Sequence, residues 1–499
     1  MVDLNENIAK YLVQQSFYHG YLPREDMVFI LKKKGDYILR TTERQTAKGR
    51  RRDLVISVGC PSDKSIGPLE LHDIKNILIE RSPTGGVYID SKNVFPEMNE
   101  LITYYQNNNM KMRKGEAGIK LLRPIGLMSW EYKHTQILLT KKVGQGAYGE
   151  VFKGKVKKGK KSFVAAIKSM KSDQDMNGEK MKEVMAEARL MRMMNHPNIV
   201  RIRGIAVLEQ PLYIIIDFIS GGGLDSYLKK NASKLTDDDK NKMAISAAWG
   251  IEFMHLQNIL HRDIAARNCL YDEKNYVKLS DFGLSRKGDT YKMKNARKMP
   301  TKWLAPESLQ TFMFSRASDV YTYGVLLYEI YMCAEPFADI NGGEARKRVM
   351  AGKFPDFQKK APPELWTIVQ EKVYVLDPKK RAPMADVVKS LEEWLQVELV
   401  LEADEIDKEQ ETTVMREEVK SDPKKRSKRR TTPNIALGEV KKGPKDGTID
   451  TTVDKCEDAR EKEVLKPETV TTTSSITTST ASMSMEKLQT AESPNPNPT

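Results

Sequence analysis

The sequence predicts a multidomain chain: a mixed α and β module over about residues 17–124, a larger α/β region over about 132–396, and a polar tail from 402 onward. Three contrasts in pattern predict it. The first stretch mixes short β-branched runs with glycine-containing turns, and the second holds longer apolar runs of strand and helix type. The third has no hydrophobic periodicity, carries a Ser/Thr run from Thr471 to Thr480 and closes on Pro494-Asn495-Pro496-Asn497-Pro498. Such a segment buries too little apolar surface to offset its ordering entropy, so disorder is expected across 402–499.

With 499 residues the chain can build two or three cores without disulfides or structural metals. Cys60, Cys269, Cys333 and Cys456 are scattered with no CxxC spacing, which suits a reducing compartment. Met1-Val2-Asp3 opens neither a signal sequence nor a myristoylation site. The apolar runs Leu212–Ile216 and Val325–Leu327 are far shorter than the ~20 residues that span a bilayer. A cytoplasmic monomer without a transmembrane segment is therefore expected, with recruitment to membrane-proximal complexes left open. The formal charge of +14 gathers partly in Lys48–Arg52, Lys157–Lys161 and Lys424–Arg430. No nucleic-acid motif accompanies these runs, so solvated faces are expected and nucleic-acid binding is not. Residues 424–430 could also serve as a nuclear import signal or an acidic-lipid patch.

The first module opens with Phe17-Tyr18-His19-Gly20-Tyr21-Leu22-Pro23-Arg24-Glu25-Asp26, followed by Gly35-Asp36-Tyr37-Ile38-Leu39-Arg40. An arginine in so apolar a strand is costly unless paired, which favours a ligand pocket over a purely structural role. Gly85-Gly86-Val87-Tyr88-Ile89 reads as a later strand and Met98–Tyr105 as a helix. The short connection Pro124–Tyr132 makes contact between the two folded regions geometrically expected.

In the larger region, Gly144-Gln145-Gly146-Ala147-Tyr148-Gly149-Glu150-Val151 lies between strand-like runs Ile137–Leu139 and Val151–Lys153. Glycines there let backbone amides approach phosphates, and the strand context favours a hairpin over a Rossmann turn, which needs a helix after the glycines. Val164-Ala165-Ala166-Ile167-Lys168 is an apolar strand ending in a cation, and Glu179–Met194 is helix-like and contains Glu187. Leu212–Ile219 forms a further apolar run. Then follow His261-Arg262-Asp263-Ile264-Ala265-Ala266-Arg267-Asn268, Asp281-Phe282-Gly283, and Pro300-Thr301-Lys302-Trp303-Leu304-Ala305-Pro306-Glu307.

That ordered series resembles the protein kinases, and the Ala-Ala-Arg insert with the Lys-Trp segment resembles their tyrosine-specific members. The first module resembles a Src-homology 2 (SH2) domain, and the pairing of the two looks like the Fes/Fer branch of non-receptor tyrosine kinases. The resemblance implies an α+β SH2 domain, a central antiparallel sheet flanked by two helices, over 17–124. A bilobal protein kinase fold is implied over 137–396, with ATP and Mg2+ as cofactors. It further implies that Asp263 accepts the proton of the acceptor hydroxyl and that Arg267 approaches the acceptor. Lys168, held by Glu187, grips the phosphates, while Asn268 and Asp281 hold the metal. Gly144, Gln145, Gly146, Ala147, Tyr148, Gly149 and Val151 cover the nucleotide; backbone groups near Asp217 and Ile219 hydrogen-bond the base, with Ile216 the gatekeeper at the back of the adenine pocket. Glu307 pairs with Arg381, Asp319 braces the catalytic loop, and Tyr291 is the autophosphorylation candidate, its phosphate facing Arg262. In the first module Arg40 forks the phosphate of a phosphotyrosine, Arg24 supports it from the helix, and Thr41 and Thr42 begin the loop that donates further hydrogen bonds.

The chain departs from these patterns at Phe17 (usually Trp), Asn76 (usually His), Tyr321 (usually Trp) and Ala382 (usually Pro). None removes a reacting group. The expected partners are tyrosine-containing protein substrates and phosphotyrosine proteins. A phosphotyrosine adaptor with a dead kinase fold is the alternative, and the presence of Lys168, Asp263 and Asp281 weighs against it.

Overall fold

The computed structural model describes residues 6–46, 49–61, 67–83, 85–110, 118–146, 149–170, 178–293, 300–400 and 436–439. In the first module, β1 (Asp36–Thr46), β2 (Gly49–Gly59), β3 (Ile74–Arg81) and β4 (Val87–Tyr88) form an antiparallel sheet. The short strand β5 (Arg123–Pro124) joins it parallel to β1, giving the order β4-β3-β2-β1-β5. Helix α2 (Met27–Ile30) follows a 3-10 turn at Arg24–Asp26, and α3 (Met98–Asn107) covers the sheet through Leu101, Ile102 and Tyr105. An additional helix, α1 (Glu6–Gln14), precedes residue 17 and seats Leu12 in the same core. Phe17, where the family usually has Trp, is buried edge-on against Tyr37.

One expectation needs correction. Thr41 and Thr42 do not begin a loop: β1 continues to Thr46, pairing Thr42 with Asp53 and Thr46 with Gly49. The β-branched pair suits a ladder position, and β2 is long enough to partner it.

In the larger region, β6 (Ile137–Gly146), β7 (Gly149–Lys158) and β8 (Lys161–Met170) form a meander; β9 (Ile202–Ala206) and β10 (Tyr213–Asp217) extend the sheet to β6-β7-β8-β10-β9. The glycine-rich segment is thus a β-hairpin, with Gly144 opposite Val151 and Gly146 opposite Gly149. Helix α4 (Gly178–Arg192) packs through Val184, Met185 and Ala188. A mainly helical lobe follows: α5 (Leu224–Asn231), α6 (Asp237–Leu256), α7 (Pro306–Thr311), α8 (Arg316–Met332), α9 (Gly342–Met350), α10 (Pro363–Ile368) and α11 (Met384–Leu395). Short strands β11 (Ile259–Leu260), β12 (Cys269–Asp272), β13 (Tyr276–Leu279), β14 (Arg286–Lys287), β15 (Thr290–Lys292) and β16 (Met313–Ser315) frame the cleft side of that lobe.

Caps explain where the long helices begin. Thr236 accepts from the Asp239 N–H at 3.1 Å at the start of α6, and the Ser315 side chain accepts from Ser318 N–H at the start of α8. Helix α8 is buried on nearly every side, which lets its two acids, Asp319 and Glu329, reach the loops around it. Tyr321 fills the Trp position within an aromatic cluster with Phe354 and Tyr374. Ala382 donates its backbone N–H to Lys372 O at 3.1 Å, a bond that proline could not make.

The two folded regions touch. Gly20 has φ 60° and an added Cβ would lie 2.0 Å from the Val207 carbonyl oxygen, so both backbone angle and approach require glycine. Tyr21 N–H donates to the same oxygen at 2.9 Å. Leu22, Met27 and Ile30 share one buried cluster with Val184, Met185 and Met191. No helix among the described residues is long and apolar enough to cross a membrane. The tail expected to be disordered, including Lys424–Arg430 and Thr471–Thr480, lies outside the described residues. Its one described piece is β18 (Ala436–Glu439), paired antiparallel with β17 (Val397–Val400).

Candidate active site

The loop between β11 and β12 is fixed from below by α8. Asp319 accepts the backbone N–H groups of His261 at 2.8 Å and Arg262 at 2.9 Å, and His255 Nε2 lies 3.2 Å from its carboxylate. These bonds hold Arg262 at φ 71°, a left-handed angle that a non-glycine residue adopts only when its surroundings impose it. The chain then presents Asp263 with both oxygens engaged. Arg267 pairs with Oδ1, while the Asn268 amide nitrogen donates to Oδ2 at 2.7 Å and to the Asp263 backbone oxygen at 2.8 Å. Arg267 also stacks over the Trp303 ring at 4.5 Å, joining the catalytic loop to the segment before Ala305-Pro306-Glu307.

A residue that motif reading missed completes this loop. Glu329, on α8, accepts the Ala266 N–H at 2.8 Å. Burial pushes its carboxyl up to about 7, opposed by the Ala266 hydrogen bond. An acid inside the apolar run from Val320 to Tyr331 was the available signal.

Across the cleft, Lys168 on β8 pairs with Glu187 on α4 at 3.1 Å. Burial raises the Glu187 carboxyl; Lys168 opposes the shift and the Asp281 charge adds to it, which places Asp281 within electrostatic reach of the pair. Asp281 has φ 57° and an exposed side chain, and Phe282 is buried beneath it with its ring 5.5 Å from His261. Gly144, Gln145, Gly149 and Val151 lie on the hairpin over this cleft; Ala147 and Tyr148 lie outside the described residues. Ile216 and Asp217 end β10, with Ile219 just beyond. Asp217 directs its carboxylate to Arg203 and donates its N–H to Arg201 O at 3.0 Å.

Glu307 and Arg381 form the expected pair, bidentate at 2.7 and 3.2 Å, with Arg381 also donating to Ala317 O at 2.6 Å and Val375 O at 2.8 Å. Tyr291 lies on β15, half-buried, its ring 4.0 Å from the Arg262 guanidinium and 5.6 Å from that of Arg286. Lys294, Arg297 and Lys298 lie outside the described residues.

The first module's pocket centres on Arg40, which is 3% exposed. Its Nε donates to Ser57 Oγ at 2.8 Å, Nη1 to Leu22 O at 3.2 Å and Nη2 to Asn76 Oδ1 at 2.7 Å. Burial lowers its pKa to about 10, with Glu25 opposing, and these three hydrogen-bond partners are neutral. Asn76 therefore fills the usual histidine position by orienting the arginine. The structure does not bring the expected trio together by hydrogen bonds. Arg24 donates to Leu71 O at 3.2 Å at the surface, though its charge still reaches Arg40, and Thr42 is half-buried on β1. Thr41 bonds instead with the Tyr18 hydroxyl at 2.9 Å.

Comparison with known proteins agrees with this geometry. The family model described as protein tyrosine and serine/threonine kinase matches residues 137–391, and the SH2 domain model matches 17–105. Fer-related kinase 1 of Caenorhabditis elegans is 32% identical over 384 residues, 76% of this chain and 93% of that protein. Spermatocyte protein spe-8 of Caenorhabditis elegans is 33% identical over 67% of this chain and 63% of its own length. Tyrosine-protein kinase Fer of Homo sapiens is 30% identical over 78% of this chain, which spans 45% of the human protein.

Proposed function

This chain belongs to the Fes/Fer group of tyrosine-protein kinases, with an SH2 domain ahead of the kinase domain, and on that premise we propose how its own residues perform and regulate transfer of the ATP γ-phosphoryl group to protein tyrosines. The pairing of Lys168 with Glu187, opposite an Asp263 held by Arg267 and Asn268, carries the reading. Lys168 positions the phosphates beneath the glycine hairpin. Asp263 orients the tyrosine hydroxyl and takes its proton; Arg267, stacked on Trp303, fixes the side from which the ring enters. Positioning and charge neutralisation supply the rate acceleration.

The residues fit a magnesium ion. Asn268 spends its amide nitrogen on Asp263, which leaves Oδ1 as its ligand atom, and Asp281 is an exposed carboxylate across the cleft. Such an ion takes one or two protein oxygens and the rest from phosphates and water. When bound, the ion supplies neutralisation of phosphate charge.

Arg40, buried among neutral partners, fits a dianionic phosphotyrosine, and the neighbouring contact to α4 fits a domain that supports the kinase. Asp26 receives Arg189 at 2.6 Å and Arg192 at 2.7 Å from the helix that carries Glu187. We read the protein as a cytoplasmic monomer whose SH2 domain favours the paired Lys168 and Glu187. Arg40→Leu tests the pocket: phosphopeptide binding should vanish while transfer to a Glu-Tyr polymer persists, and retained binding would show that the pocket lies elsewhere.

A further inference from the structure

His19 lies at the seam between the SH2 domain and the kinase small lobe, with its side chain 0% exposed and that of Glu131 3% exposed. Its Nδ1 is 2.9 Å from each Glu131 carboxylate oxygen, and its Nε2 is 3.0 Å from the Ile125 carbonyl oxygen. Both partners accept. A neutral imidazole carries a single N–H, so it would leave a ring lone pair against one buried oxygen. Glu131 is itself anchored, taking the Met128 N–H on Oε2 at 2.9 Å, and its backbone bridges to Ile205 of β9.

We propose that His19 and Glu131 form a proton-dependent clasp: the seated arrangement of the SH2 domain on the small lobe holds one proton that the separated pair of neutral imidazole and carboxylate lacks. That proton makes the second N–H and leaves the pair an imidazolium facing a carboxylate, neutral as a whole. The charged groups around it reinforce the arrangement without replacing it. Glu131 faces the ring directly. Arg192, whose guanidinium lies 4.0 Å from the Trp130 ring and feels the Glu131 charge, is already paired with Asp26. Among the described residues no other acid or base bonds to the imidazole.

The sign follows from proton counting. The seated form binds more protons than the unseated form, so rising pH favours separation, by up to about tenfold per pH unit for one linked proton. Arg192 closes α4 over the tryptophan next to Glu131, and Glu187 lies on the same helix, so separation also loosens the pair that positions ATP. This last consequence rests on the kinase reading; the clasp does not.

Full-length protein carrying 15N-labelled histidine, followed between about pH 6 and about pH 9, tests it directly. The His19 ring should show two protonated nitrogens at neutral pH and lose one at the pH where the 124–132 connection becomes open to protease. A single protonated nitrogen at neutral pH overturns the proposal. Glu131→Gln keeps an acceptor oxygen without charge; it should leave His19 neutral and the connection cleavable at neutral pH, and an imidazolium with a protected connection in that variant also overturns it. His19→Gln should remove the pH dependence of cleavage. Should that variant fail to fold, the wild-type resonances still decide. If the ring behaves as proposed while polymer phosphorylation is absent at every pH, the clasp stands and the kinase reading fails.

Discussion

From the last turn of α8, Glu329 accepts the N–H of Ala266, one residue before the arginine that pairs with Asp263, at 2.8 Å. A buried acid thus holds the path of the loop that carries Asp263. Glu329→Ala would strand a buried N–H, costing about 1–3 kcal/mol of stability and lowering kcat more than the KM for ATP. Glu329→Gln keeps an acceptor and should retain most of the rate. Because the folded protein keeps the Glu329 proton up to about 7 and the unfolded chain releases it near the ordinary 4.5, this group's contribution to stability falls as pH rises through that window. The slope, on the order of 3 kcal/mol across the window, should be missing from Glu329→Gln in urea titrations at several pH values.

Asp26 is buried between two arginines of α4, at 2.6 and 2.7 Å. Asp26→Asn would leave Arg189 and Arg192 without their shared counter-charge, a loss of about 3–5 kcal/mol at the seam. Kinase activity should fall several-fold with a raised KM for ATP. Unchanged steady-state kinetics would mean that the SH2 domain does not support Glu187.

In the proposed phosphotyrosine pocket, Asn76 accepts from Arg40 Nη2 at 2.7 Å and from Ser57 Oγ at 2.7 Å. Asn76→Ala should weaken phosphopeptide binding by about tenfold, the loss of one charge-assisted hydrogen bond. Arg24→Ala should cost less, since Arg24 bonds to Leu71 O at the surface. Fluorescence anisotropy with one labelled phosphopeptide ranks the two.

Tyr291 stacks on Arg262, and Phe would stack as well. Tyr291→Phe should therefore keep the basal rate of unphosphorylated enzyme and lose the rise that follows preincubation with ATP, as a phosphate there would engage Arg262 and Arg286. Progress curves with and without preincubation separate the two effects.

Much of this site could be read directly from the sequence because phosphoryl transfer ties its groups to short strings with fixed order: glycine hairpin, strand lysine, Asp263 with Asn268, and Asp281. Lys168 and Glu187 meet as expected. Contacts made by isolated residues across long separations left no such string. Glu329 reaches Ala266 only because α8 is buried through the lobe, and His19 meets Glu131 only because the domains dock. Strand length at Thr41 and Thr42 likewise depends on a distant partner. Their resemblance to a phosphate loop concealed what the ladder to β2 decides, that the backbone stays extended to Thr46.

Transfer to tyrosine depends most on Asp263, the group proposed to receive the hydroxyl proton. Full-length protein, preincubated with magnesium and ATP, should form phosphotyrosine on a Glu-Tyr polymer, and Asp263→Asn should lower that rate by about 100-fold or more while ATP binding persists. An Asp263→Asn enzyme as fast as the parent would contradict the catalytic assignment, and parent protein that binds ATP but makes no phosphotyrosine would contradict the enzyme itself.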